Sequence, residues 1–176
     1  MSLNAINIFK FLEKKEGRPI PFRIKLINNL PLTPEDLNVK GDLNLSNTPI
    51  TSLPDNFKVK GSLDLWGSKI TSLPNNLKVN GYLDLSNTPI ASLPDNLQLG
   101  GSLYLNSTPI TSLPDNLQVG GDLYLNSTPI TSLPDNLKVG GKLYLIDTPL
   151  SEEYTKEQIR QMIEDKSGYV KGTIYL

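Results

Sequence analysis

Gly121-Asp-Leu-Tyr-Leu-Asn-Ser-Thr-Pro-Ile-Thr-Ser-Leu-Pro-Asp-Asn-Leu-Lys-Val-Gly140 is one copy of a twenty-residue unit. Earlier copies open at Gly41, Gly61, Gly81 and Gly101, and a sixth starts at Gly141. A unit this short cannot bury its own apolar face and must stack on copies of itself, so a fixed period of this length means a solenoid. Within the unit the apolar residues alternate, as in Leu117, Val119, Gly121, Leu123 and Leu125. Period two predicts a strand with one buried face, and successive units set such strands side by side in a parallel sheet, about 4.8 Å apart. The glycine within this alternation predicts a bend or a close backbone approach.

After the strand come Asn-Ser-Thr-Pro or Ser-Asn-Thr-Pro, a turn signal, and then an apolar position: Ile50, Ile70, Ile90, Ile110 or Ile130. A Leu-Pro pair such as Leu113-Pro114 follows. Its proline blocks helix and favours an extended return path. Asp-Asn then turns the chain into the next unit.

This pattern resembles the leucine-rich repeat in its short bacterial form, through Leu103 and Leu105 of the strand, Ile110, and Leu113-Pro114. The resemblance spans roughly residues 37–150. It implies a β-rich solenoid of twenty-residue repeats with a leucine-rich-repeat-like parallel sheet and a helical cap at each end. Hydroxyls at Thr48, Ser68, Thr88, Thr108, Thr128 and Thr148 stand where that family has an asparagine ladder. The Leu-x-Val-x-Gly lead-in also predicts a longer strand than that family shows, so a parallel β-helix is the alternative fold.

A solenoid needs its apolar ends covered. Residues 1–36 are expected to form an N-terminal cap. It comprises a helix over 4–15, with Ala5, Ile8, Phe9 and Leu12 on one face, and a degenerate first strand over 22–26. Residues 37–150 form the solenoid and residues 151–176 the C-terminal cap. There Thr155 to Gln158 has the form of a capping box, Ile159, Met162 and Ile163 make the apolar stripe, and Gly168 suits the stop. Val170-Lys-Gly172-Thr-Ile174-Tyr-Leu176 aligns with Val139-Gly-Gly141-Lys-Leu143-Tyr-Leu145 and is expected to be a last strand. Counting one strand per unit and the caps gives a right-handed stack of about eight strands.

Composition narrows the function. The net charge of −1 gives no general attraction to nucleic acid or anionic membrane. There is no cysteine and no histidine, which removes the commonest nucleophile, general base and metal ligands. No catalytic residue, metal or cofactor is therefore expected. Cationic residues of the N-terminal segment, among them Lys10, Lys14, Lys15 and Arg23, read as a solvated face. No apolar run is long enough to span a membrane, and the first fifteen residues lack the form of a secretion signal. The expectation is a monomer that is cytoplasmic or secreted by a route independent of a signal peptide.

Because the inward positions repeat, specificity should be written on the outward ones. The position between the two leucines reads Asn44, Asp64, Asp84, Tyr104, Tyr124, Tyr144 and, in the last strand, Tyr175. Two residues earlier lies Tyr82, and two residues later lie Trp66, Asn106 and Asn126. Five of the seven tyrosines and the only tryptophan thus fall on one face. Exposed Tyr and Trp are typical binding anchors, whereas cross-strand stabilisation is the plainer explanation of a tyrosine column. Gly100, Gly120 and Gly140 read as a bare strip beside the tyrosines. Asp64 and Asp84 fall on adjacent strands, as solvated carboxylates rather than a catalytic or cation-binding pair. The expected function is a non-enzymatic scaffold that binds a protein through this face, of the kind found in bacterial or phage-encoded inhibitors and adaptors. The alternative is a carbohydrate-binding solenoid whose tyrosines stack on sugar rings.

Overall fold

In a computed structural model describing residues 3–17, 19–95 and 97–176, each repeat contributes two short parallel strands instead of one long strand. The first sheet holds Asn38–Val39 (β1), Lys58–Val59 (β3), Lys78–Val79 (β5), Gln98–Leu99 (β7), Gln118–Val119 (β9), Lys138–Val139 (β11) and Tyr169–Val170 (β13). The second holds Leu43–Asn44 (β2), Leu63–Asp64 (β4), Leu83–Asp84 (β6), Leu103–Tyr104 (β8), Leu123–Tyr124 (β10), Leu143–Tyr144 (β12) and Ile174–Tyr175 (β14). The molecule is therefore a parallel β-solenoid whose turns each pass through two sheets. Pairing is in register, with Leu103 beside Leu123 and Leu123 beside Leu143.

The repeated glycine divides the two strands, and the reason is space. A Cβ on Gly101 would lie 2.7 Å from the carbonyl carbon of Gly81 and 2.9 Å from the backbone nitrogen of Tyr82. Removing the side chain lets the bends stack directly, with the Gly101 N–H donating to the Gly81 carbonyl at 3.0 Å. A Cβ on Gly100, Gly120 or Gly140 would meet the carbonyl oxygen of the residue twenty positions earlier. Those glycines thus allow close rung stacking, a role the bare-strip reading overlooked.

Inside, each column repeats one side chain. Leu63, Leu83, Leu103, Leu123 and Leu143 are fully buried, as are the Leu65-to-Leu145 and Ile70-to-Ile130 columns. Each such side chain contributes on the order of 1.5–3 kcal/mol on burial. The Thr48, Thr88, Thr108, Thr128 and Thr148 hydroxyls are buried too, and each donates to the carbonyl three residues back at 2.6–2.7 Å. They supply donors to the buried turn carbonyls. Ser68 departs from this ladder: its hydroxyl is buried without a hydrogen-bond partner.

In the last rung two helices, α3 (Pro149–Glu153) and α4 (Lys156–Asp165), replace the extended return path. Thr148 and Thr155 cap them through boxes completed by Ser151 and Gln158. The expected alignment of the tail holds, since Val170 pairs with Val139 and Ile174 with Leu143. Ser167, not Gly168, takes the left-handed conformation after α4, at φ 63°. Gly168 serves close approach instead, because a Cβ there would lie 3.0 Å from the Leu137 nitrogen.

Arg160 finishes this end of the first sheet. One guanidinium nitrogen donates to the Val170 carbonyl at 2.7 Å and the other to the Gly172 carbonyl at 2.9 Å. One rung earlier, the matching carbonyls of Val139 and Gly141 accept from the backbone N–H groups of Lys171 and Gly172. The planar fork of one arginine thus stands in for a further rung.

Contact density separates Met1–Leu37 from Asn38–Leu176. The first unit holds α1 (Leu3–Glu16) and α2 (Phe22–Ile27). The strand expected over 22–26 is thus a helix, which leaves seven strands per sheet among the described residues instead of about eight in the stack. Its apolar alternation was short enough to satisfy helical spacing as well, through Phe22 and Leu26. The Pro21 carbonyl accepts from Ile24 and Lys25 to start the turn. Lys25 is buried and donates to Asp36 at 2.8 Å. Burial alone would raise the Asp36 carboxyl, but the Lys25 and Thr33 hydrogen bonds and the Lys25 charge hold it below its ordinary value.

Stacking at the glycine bend is directly testable. Gly101→Ala should destabilise the protein by about 1–3 kcal/mol, since backbone must move to admit the methyl. Gly41→Ala, whose Cβ would meet nothing within 4 Å, should stay within about 0.5 kcal/mol of wild type. Urea unfolding of the two variants checks the contrast, and equal destabilisation would refute the account of the bend.

Candidate functional site

The ten candidate residues lie on the strands of the second sheet or just beside them, and the register places them in three adjacent rows. Asn44, Asp64, Asp84, Tyr104, Tyr124, Tyr144 and Tyr175 form the middle row, each paired with the next. Tyr82 lies in the row before it. Trp66, Asn106 and Asn126 lie in the row after.

Much of this polar surface supports the backbone. Strands of only two residues leave many N–H groups outside the ladder, and side-chain oxygens accept from them. Asp64 accepts from the Trp66 N–H at 3.0 Å and Asp84 from the Ser86 N–H at 2.9 Å. In the Tyr124 and Tyr144 rungs that local acceptor is absent and the asparagine of the preceding rung takes over. Asn106 accepts from the Asn126 N–H at 3.1 Å, and Asn126 from the Ile146 N–H at 3.0 Å. Along the first row Asp42 accepts from Ser62, Ser62 from Tyr82, Ser102 from Asp122, and Asp122 from Lys142. Asn106 and Asn126 are therefore structural acceptors whatever else they contact.

Asp64 and Asp84 are neighbours in register, as expected. One oxygen of each is committed to a backbone N–H, and the second oxygen of Asp64 accepts from the Asn44 amide at 2.8 Å. Among the described residues no group of three or more acidic side chains is placed to hold a metal ion.

The tyrosines form a continuous stack. Tyr104 and Tyr124 have ring centroids 4.4 Å apart, Tyr124 and Tyr144 4.3 Å, and Tyr144 and Tyr175 4.7 Å, with interplanar angles of 7–8°. Tyr82 meets Tyr104 edge-on at 5.9 Å. Each stacked pair contributes about 0.5–1.5 kcal/mol beyond area burial, so the column stabilises the stack as well as forming surface. Interior rings cover one another's faces, leaving ring edges toward solvent. Tyr82 and Trp66 flank the column at 41 % and 42 % exposure, more accessible than the half-buried stacked rings.

Electrostatics change along the face. Asp42, Asp64 and Asp84 make its first half acidic, and burial and then these carboxylates raise the Tyr82 phenol. At the other end the Lys142 and Lys156 ammonium groups sit 5.8 and 6.0 Å from the Tyr175 centroid. Burial, the Tyr144 hydrogen bond, and the Tyr104 and Asp122 neighbours push the Tyr124 phenol far above its ordinary 10. Its hydroxyl donates to Asp122 at 3.2 Å.

Sequence reasoning left Asp122, Lys142 and Lys156 out of the site, although the spacing sets the first two in the same outward row as Tyr82. The i, i+2 relation of Asp122 to Tyr124 could have found the first. Nothing in the sequence signals that α4 brings Lys156 to the last tyrosine. No protein-family model matches the chain, and no curated protein matches it in sequence. No described helix is long and apolar enough to cross a membrane.

Tyr124 supplies a pH test. The unfolded phenol releases its proton near the ordinary value of 10 and the folded one only at higher pH. This group's contribution is therefore complete below pH 10 and is lost as pH rises from there toward the folded value. Wild type minus Tyr124→Phe, followed at 295 nm, should show its phenolate step well above pH 10. A difference step centred on 10 would mean the phenol is not held in this environment.

Proposed function

We propose that this protein is a non-enzymatic recognition scaffold of the leucine-rich-repeat type that binds a protein partner through the outward face of its second sheet. The reading includes the bacterial or phage-encoded inhibitor or adaptor role expected from the repeat. The observation that carries it is the orientation of the tyrosine column. Sugars stack against the faces of aromatic rings, and in this column the interior faces are taken by neighbouring tyrosines. Ring edges with regularly spaced hydroxyls suit instead the mixed apolar and hydrogen-bonding surface of a protein, where tyrosine contributes area at little entropic cost. The change from carboxylates through tyrosines to lysines adds a direction along which a partner can be oriented. Leu-x-Leu, the following isoleucine and Leu-Pro support the repeat type, and the glycine bend is this chain's own departure from it.

Phenylalanine substitutions separate binding from stability, because they retain the stack and delete the hydroxyls. Tyr104→Phe, Tyr144→Phe and Trp66→Ala combined should keep the melting temperature within a few degrees of wild type. They should weaken capture of a protein from lysate of the source cells by about 1–3 kcal/mol for each anchor lost. Capture unchanged by these substitutions would overturn the assignment of this face. A glycan array showing saturable binding, with no protein captured, would favour the carbohydrate reading.

A further inference from the structure

The solenoid is closed unequally at its C-terminal end. Helix α4 packs against both β13 and β14, but only on the first sheet does a side chain, Arg160, occupy the carbonyls that a further rung would use. On the second sheet β14 is the outermost strand, and among the described residues no strand pairs with its outer edge. Its unpaired groups follow from the ladder. Leu143 and Leu145 donate their N–H groups to the Thr173 and Tyr175 carbonyls of the next rung at 3.1 and 2.8 Å. Ile174 and Leu176 stand in the same positions one rung later, so their N–H groups point to where another strand would lie.

A groove of about 540 Å³ runs beside this edge, between α4 and the segment Gly172-Thr-Ile174. Lys156, Arg160 and Lys171 line it with Glu157 and Glu164, and Lys142 stands beside Tyr175. Cationic side chains outnumber acidic ones there. The groove also adjoins the end of the tyrosine column, where Tyr175 stacks on Tyr144 on one side only.

We propose that the outer edge of β14 is a second binding site, which takes one extended, acidic segment of a partner protein as an eighth parallel strand. A complete rung from a second copy would need the Val170 and Gly172 carbonyls that Arg160 already occupies, whereas a single strand on β14 does not. Its carbonyls would accept from Ile174 and Leu176, and its central N–H would donate back to the Ile174 carbonyl. An acidic residue ahead of the strand meets the lysines, and an aromatic side chain opposite Tyr175 extends the stack. Acidic-apolar-aromatic-apolar is the required pattern, and the protein's own Asp122-Leu-Tyr-Leu125 has it. This site shares Tyr175 with the outward face proposed above, but its backbone edge does not depend on that reading.

The probe is the capped, fluorescently labelled peptide Gly-Asp-Leu-Tyr-Leu-Asn-Ser, the sequence of residues 121–127, added to the full-length protein. Saturable anisotropy is expected, with amide shift changes in two-dimensional NMR confined to residues 172–176 and their neighbours in α4. Methylating the amide nitrogen of the peptide's tyrosine removes the central donor without altering the protein, and should weaken binding at least tenfold. Tyr175→Ala should do the same, and Lys142→Glu with Lys156→Glu should weaken it several-fold. The proposal is overturned if the peptide shows no saturable binding at millimolar concentration. It is equally overturned if the N-methylated peptide binds as well, or if the shifts map elsewhere.

Discussion

Everything in the solenoid depends on like residues lying beside like at the spacing of a parallel sheet. Leu123 pairs with Leu103 and Leu143, and Tyr124 with Tyr104 and Tyr144. A side chain is therefore admitted to a column only if it tolerates its own copy about 4.8 Å away. Leucine passes by dispersion and burial, threonine by turning its hydroxyl to a carbonyl of its own rung, tyrosine by stacking. Glycine is the only residue that passes at the bend, where the neighbouring backbone leaves no room for a Cβ. Aspartate is the least compatible with its own copy. It persists at Asp64 and Asp84 with an oxygen of each occupied by a backbone donor, and gives way to tyrosine at the next rung.

That constraint makes the outer surface partly structural. Short strands leave N–H groups unpaired, and the Asp, Asn and Ser side chains nearest to them are drafted as acceptors. The exchange at Tyr124 and Tyr144 shows the logic. Once tyrosine removes the acceptor within its rung, Asn106 and Asn126 supply one to the following rung. A substitution in the middle row is thus tied to the identity of the row beside it. Tyr82 and Trp66, more exposed than the stacked tyrosines, are the aromatic residues of the face least absorbed by such work.

Ending the stack is a separate problem from propagating it. Arg160 answers half of it by placing two donors where two backbone N–H groups would have been. The second sheet is left with its donors directed outward and a cationic groove beside them. The two halves of one terminal cross-section consequently have different chemistry, one finished and one able to accept a strand.

The sequence by itself determined the period, the solenoid, the inward columns, the structural use of the threonines and the tail rung at Val170 and Ile174. It could do so because each is a local pattern repeated in register, and the repeat itself supplies the neighbour. What lay outside the repeat was not legible. The alternation at Phe22, Ile24 and Leu26 suited a strand or a helix, and the turn begun at Pro21 with the buried pair between Lys25 and Asp36 accompanies the helix. The division of one expected strand into two sheets at Gly101 depended on how closely two backbones approach. Likewise, only the tertiary structure could turn the tyrosine rings face to face, commit Asn106 to a backbone donor and carry Arg160 and Lys156 to the terminal edge. Those outcomes depend on distances between residues that no spacing along the chain encodes.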